Sequence, residues 1–197
     1  MRELRVHGRG GQGSVVASKL LAVAFFLEGR QVQSFPMFGV ERRGAPVTAF
    51  LRVSDSRINL RCEILEPDGL IILDATLLGA VDVTAGLKAG SSILVNSDRA
   101  PGEYERLLER FRVATVDASG IALRHGLGSR TQPIVNTALL GAFATDSGLV
   151  RLESVCTAIR NEVPTHVEDN VNAALEAAGA VRGIDPHVAG AREVTHV

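Results

Sequence analysis

"HGRGGQGSVVASKLL", residues 7–21, decides how the N-terminal half folds. Gly8, Gly10 and Gly13 satisfy the pattern G-x-G-x-x-G. Ahead of it, Leu4 and Val6 alternate with charged neighbours and read as a short strand over 4–7. Behind it, Val16, Leu20, Ala24 and Leu27 recur at helical spacing, which predicts a helix over 15–28 stopped by Gly29. A strand, a glycine loop and a helix in that order place free N–H groups at the helix start, where an anion is held well. In such a loop the first glycine permits the tight turn, the second lets backbone approach the anion, and the third lets the helix pack on the strand. Gly11 lies inside the same loop, Arg9 brings a charge and Gln12 a side-chain amide. The plainer alternative is that the glycines only allow a close strand-to-helix turn.

A second strand is expected over 31–35, ended by Pro36, giving a β–loop–α–β unit of the kind that favours a parallel sheet. "PMFGVERRGAPV", 36–47, then reads as a loop, and its Met37, Phe38, Val40 and Pro46 are apolar enough to mark a contact with another chain. Its Arg42 and Arg43 have two readings of equal standing: a bidentate clamp on a phosphate, or salt bridges across a subunit interface. Further strands are expected over 47–53, 70–74, 92–95 and 113–116, and helices over 131–146 with Pro133 in the first turn, 152–161, and 167–178 with Gly179 as the stop. Three of the seven phenylalanines, Phe35, Phe38 and Phe50, fall near one loop. The whole predicts one α/β domain over 1–180 with a mostly parallel sheet flanked by helices, and a tail over 181–197.

Composition narrows the function. The 197 residues suffice for a buried core, and a hydrophobic content of 46% argues against global disorder. A formal net charge of -1 argues against nucleic acid as a partner. No signal-like apolar run opens the chain and no stretch approaches the roughly 20 apolar residues of a membrane span, so no membrane span and a cytoplasmic location are expected. Cys62 and Cys156 stand far apart, short of the roughly four thiolates an iron–sulfur cluster needs, and read as buried small hydrophobes. A dinucleotide site would want an acid at the end of the second strand. Ser34, Phe35 and Pro36 stand there instead, which counts against a stand-alone nucleotide-binding oxidoreductase. His7 reads as a buried structural histidine before a substrate contact, and Asp74 as a capping residue before a catalytic acid.

"HGRGGQG" followed by "FPMFGVERRGAPV", "EPDGLIILDATLL" (66–78) and "NTALLGAF" (136–143) resembles the gamma subunit of the 2-oxoacid:ferredoxin oxidoreductases, which act on pyruvate, 2-oxoglutarate, indolepyruvate and aryl 2-oxoacids. The resemblance runs over about residues 3–178. It implies a Rossmann-like fold and a non-catalytic subunit of an enzyme that turns a 2-oxoacid and coenzyme A into an acyl-CoA. By the same resemblance, thiamine diphosphate and Mg belong to alpha and beta partners. Electrons leave through [4Fe-4S] clusters of a ferredoxin-like subunit, to ferredoxin or NAD. The loops carrying Gly8, Arg9, Gly10, Gly11, Gln12, Gly13, Arg42 and Arg43 are then candidates for a share of the coenzyme A pocket. The alternative within the same family is an interface subunit that touches no ligand.

Overall fold

The computed structural model describes residues 1–37 and 44–185. In chain order the elements are β1 (Arg2–Arg9), α1 (Ser14–Leu27), β2 (Gln31–Pro36), β3 (Pro46–Ser54), β4 (Gly69–Ile72), a 3-10 turn (Ala75–Gly79), β5 (Ser92–Asn96), α2 (Glu105–Leu108), β6 (Arg112–Val116), α3 (Ala118–Arg124), β7 (Gly128–Ser129), β8 (Gln132–Pro133), α4 (Asn136–Ser147), α5 (Leu152–Glu162), α6 (Val167–Ala180) and β9 (Arg182–Ile184). Among the described residues the main sheet has seven strands in the order β2-β3-β1-β4-β5-β6-β9. β1, β4, β5 and β6 run parallel to one another. β3 is antiparallel to both β1 and β2, and β9 is antiparallel to β6. β2 therefore shares the direction of β1, and the sheet is mixed but mostly parallel.

The expected β–loop–α–β unit is present with one change: β3 lies between its two strands. Both loops of interest nonetheless open on the same sheet edge. β1 ends where β3 begins, with Arg9 opposite Pro46, and β2 ends there too.

The two faces follow the period of a strand. Leu4, Val6, Leu51, Val53, Ile71, Leu73, Leu94 and Val116 face the core shared with α1, α3, α4, α5 and α6. Leu70, Ile72, Ile93 and Val95 face a smaller core completed by Leu77, Val83, Leu87 and Phe111. Over β3 the second face holds a cation. Arg52 is 1% exposed, with its Nε donating to Glu3 Oε1 at 2.7 Å, Nη1 to Gln33 Oε1 at 3.0 Å and Nη2 to the Glu63 carbonyl at 3.4 Å. Cys62 sits beside it and is exposed rather than buried, because its sulfur meets the guanidinium and not the core; Cys156 is buried as expected.

Three sequence expectations are corrected in the last third. Pro133 belongs to the β7–β8 hairpin, and α4 starts three residues later, at Asn136. Gly179 does not stop α6, which continues to Ala180, because the glycine keeps helical backbone there. The expected tail begins with β9, held by the edge of β6 and by Arg112, whose Nε lies 3.2 Å from Asp185. The remainder, 186–197, lies outside the described residues.

α4 and α6 cross so closely that a side chain at Gly141 would collide with the backbone of Ala174. Gly179, also helical, faces open space. Glycine in an exposed helix loses about 0.5–1 kcal/mol to alanine, so Gly179→Ala should raise the melting temperature of the chain. Gly141→Ala should lower it, since overpacking costs about 1–3 kcal/mol. Thermal melts of the two variants check the opposite signs.

Candidate functional site at the carboxyl edge of the sheet

α1 begins at Gly13, whose left-handed backbone (φ 81) suits glycine, and no side chain caps the helix. The first intrahelical bond runs from the Ala17 N–H to the Gly13 carbonyl. Among the described residues the N–H groups of Ser14, Val15 and Val16 have no backbone partner, as expected of a first turn. Gly8 is where the chain needs no side chain at all, because one would run into Ser14 Oγ and press on Gln12 and Leu73. The third glycine, expected to let the helix pack on the strand, instead makes room for Asn136 at the start of α4. Gly11 (φ 97) faces open space.

Gly10 is tied down on both sides. Its N–H donates to the Ala45 carbonyl at 2.9 Å, and its carbonyl accepts from the Gly44 N–H at 3.1 Å. The glycine loop and the start of β3 thus form one ledge. Arg9 braces it: Nε donates to Asp74 Oδ2 at 3.1 Å, Nη1 to the Gly44 carbonyl at 3.1 Å and Nη2 to Thr76 Oγ1 at 2.8 Å. Both ends of the Gln12 amide are engaged, Oε1 accepting from the Arg9 N–H at 2.7 Å and Nε2 donating to Asp74 at 3.0 Å. Arg42 and Arg43 lie outside the described residues, as do Phe38 and Val40, and Met37 is exposed.

Asp74 collects these contacts and caps the 3-10 turn by accepting from the Thr76 N–H at 2.9 Å. Burial alone would raise its pKa. The Thr76 hydroxyl and N–H, the Gln12 amide and the Arg9 charge outweigh burial and hold the carboxyl below its usual range. The capping reading of Asp74 is the one the geometry supports, and its bond to Gln12 across 62 residues is a long-range feature no local pattern announces.

His7 is buried on the opposite face, its Nδ1 3.3 Å from Thr48 Oγ1 and its Nε2 without a partner among the described residues. Burial first, then the neighbouring Arg5 charge, pushes its pKa down to about 4. Beside Thr76 a cleft of about 1140 Å³ opens along the ends of β4, β5 and β6, lined by Asn96, Ser97, Arg99, Tyr104 and Arg106 among others. Clefts at the carboxyl ends of strands are where open α/β sheets bind ligands. Among the described residues no group of three or more histidine, cysteine or acidic side chains is placed to hold a metal, and no helix is long and apolar enough to cross a membrane.

The chain matches the pyruvate ferredoxin/flavodoxin oxidoreductase family over residues 3–180. It belongs to that family. The gamma subunit common to the pyruvate and ketoisovalerate oxidoreductases of Thermococcus kodakarensis is 52% identical over 180 residues, 90% of this chain and 95% of that one. The pyruvate oxidoreductase subunit PORC of Thermotoga maritima superposes with a TM-score of 0.77 at 32% identity, over 93% of this chain and 98% of that one. The 2-oxoglutarate:ferredoxin oxidoreductase of Magnetococcus marinus, solved with 2-oxoglutarate, coenzyme A and succinyl-CoA bound, shares the fold alone. Its TM-score is 0.70 at 18% identity, over 94% of this chain and 32% of that one. Within the family the chain is a gamma subunit, a component of an oxidoreductase that acts on 2-oxoacids.

The depressed pKa of His7 makes stability depend on pH. The unfolded imidazole takes up its proton near 6.5 and the folded one only near about 4. Between these values the unfolded state binds more protons, so stability is full above the window and falls as pH drops through it. The loss is on the order of 3 kcal/mol across the window. Denaturant unfolding at pH 7 and pH 4.5 should show a drop that is smaller by about 2–3 kcal/mol in His7→Gln than in the native chain.

Proposed function

We propose that this gamma subunit contributes the phosphate-binding part of a coenzyme A pocket to a complex that oxidatively decarboxylates a 2-oxoacid to an acyl-CoA. Thiamine diphosphate and Mg are assigned to alpha and beta partners. The [4Fe-4S] clusters that pass electrons to ferredoxin or NAD are assigned to a ferredoxin-like subunit. The observation that carries the reading is the start of α1 at the carboxyl edge, where three N–H groups have no backbone partner and no side-chain cap among the described residues. The cleft beside Thr76 gives the rest of a long co-substrate room along the same edge. This chain's own residues bind and orient. The N–H groups of Ser14, Val15 and Val16 hold an oxygen of the diphosphate, and Arg9, Gln12 and Asp74 keep the loop in shape.

The interface reading has an observation of its own. Both backbone groups of Gly10 are taken up by Gly44 and Ala45, so at that glycine the loop supports its neighbouring strand and offers no donor. On that reading Arg42 and Arg43 pair with a partner chain. The two readings part on kinetics. If either arginine pairs with a phosphate, Arg42→Ala or Arg43→Ala removes a charge-assisted hydrogen bond of about 1.5–3 kcal/mol. The KM for coenzyme A of the assembled enzyme should then rise roughly tenfold to a hundredfold, with the KM for the 2-oxoacid unchanged. Dissociation of the variant complex, or no change in either constant, assigns these arginines to the interface.

A further inference from the structure

The edge of the sheet opposite the glycine loop carries a cavity of its own. Arg2, Gly69, Ser92 and Arg112 begin the four parallel strands β1, β4, β5 and β6. Register sets Leu4, Gly69, Ser92 and Arg112 side by side in one row, on the face that packs against α4. The next row inward, Val6, Ile71, Leu94 and Ala114, is fully buried. The outer row has only a glycine and a serine between Leu4 and Arg112. Leu4 leans across the glycine, its Cδ2 3.2 Å from the point a Cβ would occupy, and Ser92 borders the space that remains. That space is about 490 Å³, with Leu4, Leu94, Phe143 and Leu149 among its apolar walls. It falls within the range of about 300–1,000 Å³ in which small ligands are held.

The charges around the cavity are settled on one side and open on the other. Toward α4, Arg112 Nη1 and Nη2 donate to Asp146 at 2.6 and 2.7 Å, and Arg112 Nε lies 3.2 Å from Asp185. The same guanidinium sits at the negative end of α4 and offsets it. Toward β1 and β4 the balance is positive. Asp68 accepts the Glu3 N–H at 2.8 Å, and Lys88 stands 3.8 Å from its other oxygen. Arg2 also lines the cavity, and among the described residues it has no ion pair. The hydroxyls of Ser91 and Ser92 line it as well, without a hydrogen-bond partner among the described residues. The complementary ligand has an apolar body and a single anionic head. A polyphosphate carries more charge than this rim can match, and a cation leaves Arg2 unpaired.

We propose that the amino edge of the sheet holds a second binding site, for a small monocarboxylate with an apolar body. Leu4, Leu94 and Phe143 take the body, and Arg2 and Lys88, with the two serine hydroxyls, take the carboxylate. The site lies at the opposite ends of the strands from the glycine loop and from the cleft beside Thr76. It therefore goes beyond the coenzyme A reading and does not depend on it. Two variants separate the parts of the site. Arg2→Gln removes the unpaired charge at an exposed position and leaves the core untouched. Ser92→Leu fills the cavity from its wall.

The test uses the full chain labelled with 15N and titrated with butanoate, hexanoate and octanoate at constant pH and ionic strength, with octanol as the uncharged control. The backbone amides of residues 69–70, 90–92 and 147–149 should shift saturably. Affinity should rise at least about tenfold from butanoate to octanoate, because the added methylenes leave water. Octanol should bind at least about fivefold more weakly than octanoate, and Arg2→Gln should weaken octanoate at least about threefold while leaving octanol unchanged. Ser92→Leu should abolish binding of all the probes. If Ser92→Leu fails to fold, the Arg2→Gln titration decides alone. Shifts confined to the carboxyl edge, at residues 13–16 and 76, overturn the proposal. So does an affinity that ignores chain length, octanol binding as tightly as octanoate, or native octanoate affinity in Arg2→Gln.

Discussion

The carboxyl edge is organised around one carboxylate. Asp74 meets Arg9 from the end of β1, Gln12 from the glycine loop and Thr76 from the turn that follows β4. Arg9 passes the restraint on to Gly44, and Gly10 locks the same segment through its backbone. Three pieces of chain that are far apart in sequence thus take their positions from one ionised group, and the open start of α1 is presented at a fixed place.

The position of β3 explains why a glycine pattern of the dinucleotide type need not mean a dinucleotide. In that mode the ribose is held by an acid at the end of the strand next to β1. Here the neighbour is β3, which enters β1's carboxyl end from the opposite direction, and β2 is pushed one place outward. At its end stand Ser34, whose hydroxyl pairs with Ser18, and Phe35, stacked near Phe50 with ring centroids 5.1 Å apart. No acid stands at that position among the described residues. An anion at the helix start remains compatible with the same fold.

Much of this was legible in the residues. The alternation of Leu4 and Val6, the apolar run Leu70–Leu73 and the stop at Gly29 each follow from local rules, and each appears within a residue or two of its expected place. The insertion of β3 was not legible, because pairing partners are set by the sheet and not by the strand's own pattern. The start of α4 was misplaced because "TQPIV" continues an apolar rhythm, while a turn at Arg130 and Thr131 folds Gln132–Pro133 back on Gly128–Ser129 as a hairpin. At the site the glycines were visible as a motif, but the engagement of Arg9 and Gln12 inside the ledge was not. Asn136 stood in a recognisable stretch, yet nothing in its neighbours signals that its amide meets Gly13 across 123 residues of chain.

The contact between Gly141 and Ala174 leaves α4 and α6 no clearance to slide, and the bond between Thr137 and Asn170 pins their first turns. Sliding either helix past the other would break both contacts, so the starts of α4 and α6 keep one register. β9 follows the far end of α6 after Val181 alone, so the edge strand that closes the sheet on β6 is tethered to the same register.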